Sequence, residues 1–147
     1  MTFSFNLLDE QWIPCRMVDG ETRELSLIDA LCQSHEVLAI LHPSPLVTVA
    51  LHRLLLAILH RVFGPSDWRC WQKIWNEGHF DQTSIGQYLE RWRDRFDLFD
   101  EKHPFYQTAE LGFDYAKSAA KLPHELASGN NPTLFDHTIM KEPPIVS

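Results

Sequence analysis

Cysteine is scarce in this chain, and the little there is does not pair. Cys15, Cys32 and Cys70 are odd in number and widely spaced, with no CxxC among them. That pattern excludes a disulfide framework or a cysteine zinc site and fits reduced thiols in a cytosolic protein. Positive charge is short as well: 13 Lys and Arg stand against 20 Asp and Glu, a formal charge of -7. A protein so balanced does not hold nucleic acid by bulk electrostatics, so any contact with DNA or RNA has to be local. The opening MTFSFNLLDEQ has neither a basic segment nor an apolar h-region, so no secretory leader is expected. No long apolar run goes uninterrupted. Val47 to Phe63 is the nearest, and it lies at the lower limit for crossing a bilayer and contains His52, Arg53, His60 and Arg61. A buried helix, not a membrane span, is expected there. No internal repeat, low-complexity tract or linker divides the chain, so residues 1–147 read as a single unit.

What is present is apolar material, 44% hydrophobic and 12% aromatic in 147 residues, enough for the core of one ordinary domain. Short β-compatible runs occur around Leu7 and from Trp12 to Met17, and Asp19-Gly20 supplies the pair that a tight hairpin turn uses. Ser26 can cap a following helix with Leu27 and Leu31 facing inward. After Pro43 and Pro45, the positions Val47, Leu51, Leu54, Leu55, Ile58 and Val62 repeat at helical spacing until Gly64-Pro65 stops them.

Ser66 then stands where an N-cap belongs, and Trp68, Trp71, Ile74 and Trp75 recur on one face up to Gly78. Tryptophans in that array could stack on bases. Helix packing demands the same spacing, and core is the expectation. A further helix carries Ile85, Tyr88, Leu89, Trp92 and Phe96, with Ser84 and Gln87 as a capping box. The Val47, Ser66 and Ser84 helices are expected to hold most of the core, with Leu55 and Trp92 among its members. Arg91, Arg93 and Arg95 invite a phosphate, but acids interleave with them, the usual composition of a solvated face. The fold class is α+β: a mainly helical domain with a small N-terminal antiparallel β unit and a long irregular C-terminal loop segment, where Pro104, Pro123, Pro132, Pro143 and Pro144 forbid one long helix.

The tail has histidines beside acids: His103, His124 and His137 near Glu101, Glu125 and Asp136. Ser128 could join an Asp-His pair as a triad, yet no GxSxG elbow surrounds it. No HExxH or His-x-His spacing sets two metal ligands on one face. His103 in HPF reads as a turn residue, and Asp136 as a partner for His137 or a backbone amide. No enzyme, metal or cofactor is expected.

Four strings, FNLLDEQWIP, RLLLAI from Arg53, HPFYQ from His103 and ASGNNPTLFDH from Ala127, occur in an order and at intervals that resemble the N-terminal region of the CasA family, the large subunit of the type I-E CRISPR complex Cascade. The resemblance implies a non-catalytic, cytoplasmic part of an RNA-guided DNA-binding machine. Other Cascade subunits, guide RNA and target double-stranded DNA would be its partners, and a helicase-nuclease would be recruited by the full-length family. Sequence is read by guide pairing, while protein reads a short adjacent motif.

By the same resemblance, Ser128, Gly129, Asn130, Asn131, Thr133, Leu134, Phe135, Asp136 and His137 form a long loop reaching the guide-handle end of the complex. There neutral donors and acceptors meet backbone or a neighbouring subunit, and Leu134 with Phe135 anchors in an apolar pocket. The chain stops at KEPPIVS, where the family continues into the rest of its N-terminal domain and a helical bundle. Residues 1–147 are therefore expected to be an incomplete N-terminal portion, and the family's motif-reading residues are expected in the part not present. The alternative is a free-standing interaction protein of the same fold that docks on Cascade subunits and regulates assembly.

Overall fold

A computed structural model describes residues 3–109. Its sheet is built on β1 (Ile13–Met17), where strict alternation buries Ile13, Cys15 and Met17 and turns Arg16 outward. Asp19-Gly20 makes the expected turn. Gly20 takes φ +90, open to glycine at no steric cost, and the Asp19 carboxylate accepts the Glu21 amide at 2.9 Å. β2 (Thr22–Leu25) returns antiparallel, with Ile13 opposite Leu25.

Ser26 caps α1 (Leu27–Cys32): its hydroxyl accepts the Asp29 amide at 3.1 Å and donates to the Asp29 carboxylate at 2.8 Å. Leu27, Ala30 and Leu31 are buried, as the spacing predicts. A 3₁₀ turn at Ser34–Glu36 then feeds β3 (Val37–Ile40), which joins the other edge of β1 and completes the order β2-β1-β3. Nothing in the local pattern announces this strand. Leu38 and Ala39 are exposed, and the run is extended because β1 offers it an edge.

α2 (Pro45–Phe63) begins with proline in its first turn, where the missing amide costs nothing, and ends at Gly64 in the left-handed region, whose N–H reaches the His60 carbonyl at 3.0 Å. α3 (Trp68–Glu77) and α4 (Gln82–Arg91) are capped by other residues than expected, one position later for α3 and three earlier for α4. Asp67, not Ser66, accepts the Arg69 and Cys70 amides, each at 2.9 Å. Asp81 accepts the Ser84 amide at 3.0 Å and its hydroxyl as well, which makes Ser84 a first-turn residue instead of half of a capping box. In both cases a carboxylate is the stronger acceptor for first-turn amides and outcompetes the nearby serine.

The core differs from the expected one. Its fully buried members are Leu8, Ile13, Cys15, Met17, Leu27, Leu31, Ile85 and Leu89, drawn from the N-terminal segment, β1, α1 and α4. α2 contributes only Leu51 and Ile58 as buried residues, with Leu55 half-buried, and α3 contributes none. α4 also stops short. It ends at Arg91, and a 3₁₀ turn at Arg93–Arg95 swings Phe96 into the core while leaving Trp92 39% exposed, with the Arg91 guanidinium 5.7 Å from its ring.

The beginning of the chain is clasped to the segment after α4. Leu7 N–H donates to the Phe96 carbonyl at 2.9 Å, and Leu98 N–H to that of Phe5 at 3.0 Å. Asn6 serves both sides. Its amide nitrogen donates to the Arg93 carbonyl at 3.1 Å, and its oxygen accepts the Leu8 N–H at 3.0 Å. The Phe105 N–H donates to the Asp97 carbonyl at 2.8 Å, and its ring stacks on Phe96, centroids 5.5 Å apart. The strings FNLLDEQ and HPFYQ are therefore both held against the segment that follows α4. His103 lies in a turn as read, its amide held by the Asp100 carboxylate at 2.6 Å.

Asp97 sits at the centre of this clasp, accepting from the Ser4 hydroxyl and from the Phe5 and Phe99 amides. Desolvation pushes its carboxyl up, but those hydrogen bonds together outweigh it and hold the group below its usual range. A carboxylate lowered in the folded state stabilises the fold above its unfolded value, and that contribution is lost as pH falls through the folded one. The melting temperature is expected to be level near neutral pH and to fall below about pH 4. Asp97→Asn should melt lower at neutral pH and make the acid fall shallower. An acid fall as steep in the variant as in the parent would take Asp97 out of this role.

Candidate partner-binding surface

The loop residues singled out by the resemblance, Ser128, Gly129, Asn130, Asn131, Thr133, Leu134, Phe135, Asp136 and His137, lie outside the described residues. Within the described part, Arg93 and Arg95 are engaged internally. Arg93 is paired with Asp9 and, at 2.8 Å, with Glu90, and these hydrogen bonds hold its guanidinium above the ordinary value. Arg95 lies 3.9 Å from Asp94. The solvated-face reading of these arginines holds.

Burial pushes the Cys15 thiol up, and burial with the nearby Asp29 carboxylate does the same for Cys32, so neither has thiolate character near neutral pH. Among the described residues no group of three or more His, Cys, Asp or Glu is placed to hold a metal ion.

The surface that stands out is apolar. Trp68, Trp71 and Trp75, expected in the core, are 67%, 52% and 70% exposed. Periodicity reported correctly that α3 has an aromatic face, but a repeating face does not say what covers it. Trp71 and Trp75 stack on each other, one turn apart, with centroids at 5.2 Å and planes 21° from parallel. Together they wall a groove against Leu56, Leu59 and Phe63 of α2, floored by Phe80, which stacks on Phe63 at 5.6 Å. The groove encloses about 580 Å³.

Among the described residues, its ionisable lining groups are the imidazoles of His35, His60 and His79, with His35 and His79 rings 6.1 Å apart. No carboxylate, lysine or arginine of the described residues enters the lining. Such a cleft binds by shape and apolar burial, with a few polar tips for orientation.

α2 explains why the groove exists. Leu51 and Ile58 face the core, while Leu46, Val49 and Leu56 on the opposite side are each more than half exposed. A helix apolar all round is normally buried on both sides, and here only one side is covered by described residues. The sequence contained that signal in Leu46, Val49, Leu56, Leu59 and Phe63, a second stripe beside the first. His35, His60 and His79 had no sequence signal, because only the fold brings them to one rim.

Comparison with known proteins places this geometry among relatives. The family model for CRISPR-associated protein Cse1 matches residues 6–145. A CasA/Cse1 protein of Thermus thermophilus is 49% identical over 138 residues, covering 91% of this chain and 27% of its own length. The solved structure of Thermus thermophilus CasA (Cse1) superposes with a TM-score of 0.70 at 44% identity, over 75% of this chain and 24% of that one. A chain of a CRISPR RNA-guided surveillance complex superposes with a TM-score of 0.65 at 30% identity, over 74% of this chain and 24% of that one. This chain thus spans about a quarter of the length of these relatives.

Proposed function

Because this chain belongs to the CRISPR-associated Cse1 (CasA) family, we propose that it is the N-terminal portion of the large subunit of an RNA-guided surveillance complex of the Cascade kind. In this reading it is a non-catalytic, cytoplasmic component that helps assemble the complex near the 5′ handle of the guide RNA. It also contributes to recognition of target double-stranded DNA beside its protospacer-adjacent motif, ahead of a recruited helicase-nuclease. The observation that carries the reading is the family match along residues 6–145, together with the likeness to a chain of a surveillance complex. A formal charge of -7 suits a subunit that touches nucleic acid locally while guide pairing reads the sequence.

The segment Ser128 to His137 supplies the contacts in this reading. Asn130 and Asn131 offer neutral hydrogen bonds, and Phe135 offers an aromatic anchor of the kind that dominates interfaces. The test uses the whole chain. Tagged protein is mixed with a guide-loaded surveillance complex prepared without its large subunit, and retention is followed by size exclusion. Retention in one-to-one ratio is expected, and Phe135→Ala should weaken it about thirtyfold with melting unchanged. Absence of retention by the parent chain would sink the assembly reading. Normal retention by Phe135→Ala, combined with a large loss of stability, would assign Phe135 to the fold and refute its role as an anchor.

A further inference from the structure

We propose that the α2–α3 groove seats the apolar face of a helix supplied by the polypeptide that makes up the remainder of a full-length large subunit. The inference rests on the functional reading above and names the partner of this one surface. Three observations point to that occupant.

The first is extent. Relatives matched along nearly all of this chain are about four times as long, since the match covers 27% of the Thermus thermophilus protein. A surface that is apolar in one quarter of such a polypeptide is available to the other three. The second is shape: two helices line one cleft, with Leu56, Leu59 and Phe63 from α2 and Trp71 and Trp75 from α3. A third helix fits such a cleft by placing residues at i, i+3 and i+7 into it. The third is charge. Among the described residues, a lining with three imidazoles and no carboxylate, lysine or arginine asks for no counter-charge, which suits an apolar stripe with polar flanks.

A second copy of this chain and a lipid surface are rival occupants. α2 has the length and apolarity of a membrane span, but Leu51 and Ile58 on its inner side are already packed in the core, and Arg53 and Arg61 lie along it.

Thiol labelling separates these cases. Leu56→Cys and Trp75→Cys are placed one at a time in the full chain with Cys32 and Cys70 changed to serine. Val18→Cys, on the β1–β2 turn and 65% exposed in the parent residue, serves as control. In the chain alone, all three thiols should react at comparable rates at any protein concentration and with or without phosphatidylglycerol vesicles. The same thiols are then examined in a chimera, the full-length Thermus thermophilus CasA/Cse1 protein with its matching segment replaced by this chain. There the Leu56→Cys and Trp75→Cys thiols should slow by about tenfold or more, because reaction now requires local opening, while Val18→Cys is unchanged.

Groove thiols that stay fast in a cooperatively melting chimera overturn the proposal. So does a chimera without cooperative melting, since a groove shaped for this occupant has to accept it from a relative 49% identical. Slowing in the chain alone that grows with protein concentration, or with vesicles, gives the groove to a second copy or to lipid and also overturns it. Retention on the guide-loaded complex is scored separately. A chimera with protected thiols and no retention would leave this inference standing and remove the functional reading.

Discussion

Replacing Phe96 with alanine is expected to cost about 3 to 5 kcal/mol of folding stability, the largest effect anticipated for a single change in the described part. The ring is 7% exposed, packed in the core and stacked on Phe105. Its removal leaves a void bounded by backbone that is itself pinned. Its carbonyl accepts the Leu7 amide, and its own amide donates to the Arg93 carbonyl at 3.1 Å, so the walls have little freedom to close in. Chemical denaturation measures the loss directly, and in a thermal scan it should appear as a fall on the order of 10 °C for a chain of this size. A variant that unfolds within about 1 kcal/mol of the parent would mean that the clasp between the two ends is not part of the cooperative unit.

Leu89→Ala should be nearly as severe, about 2 to 5 kcal/mol, and its comparison with Trp92→Ala is the sharper test of where α4 points. Leu89 is completely buried on the last full turn of the helix. Trp92 lies just beyond that turn, 39% exposed, and its ring already has a cationic neighbour in Arg91. Sequence spacing places both on one buried face, which predicts similar losses. The structure predicts a clear inequality, with Leu89 well above Trp92, because the helix ends at Arg91 and the following 3₁₀ turn rotates the register. Equal losses in a denaturant series would restore the uninterrupted helix.

Much of the fold could be read from the chain because its signals are local. The alternation of Ile13, Cys15 and Met17, the Asp19-Gly20 turn, the Ser26 cap and the stop at Gly64 each depend on residues within a few positions. β3 depends on β1 as a partner, and no pattern inside Val37–Ile40 states that dependence. Caps were misplaced by one to three residues because Ser66 and Ser84 stand close to Asp67 and Asp81, and a serine and an aspartate give the same kind of signal. The Trp68, Trp71 and Trp75 stripe was legible as a face and misread as core, since spacing fixes which residues share a side of a helix and says nothing of what lies opposite. The groove and its three imidazoles exist only once α2 and α3 are folded against each other.

The clasp between Asn6 and Asp97 also sets an order of events during synthesis. Asn6 and Leu7 leave the ribosome well before Arg93 and Phe96, whose backbone carbonyls receive the Asn6 side chain and the Leu7 amide. At about 5 to 20 residues per second, some 5 to 20 seconds pass on the ribosome before those partners have been made. Through that interval the hairpin and α1 can form, but the Leu7 amide and the Asn6 side chain still lack these partners. Residues made early in this segment are thus among the last to settle. A nascent chain stalled before Asp97 presents Leu7 and Leu8 to any chaperone within reach.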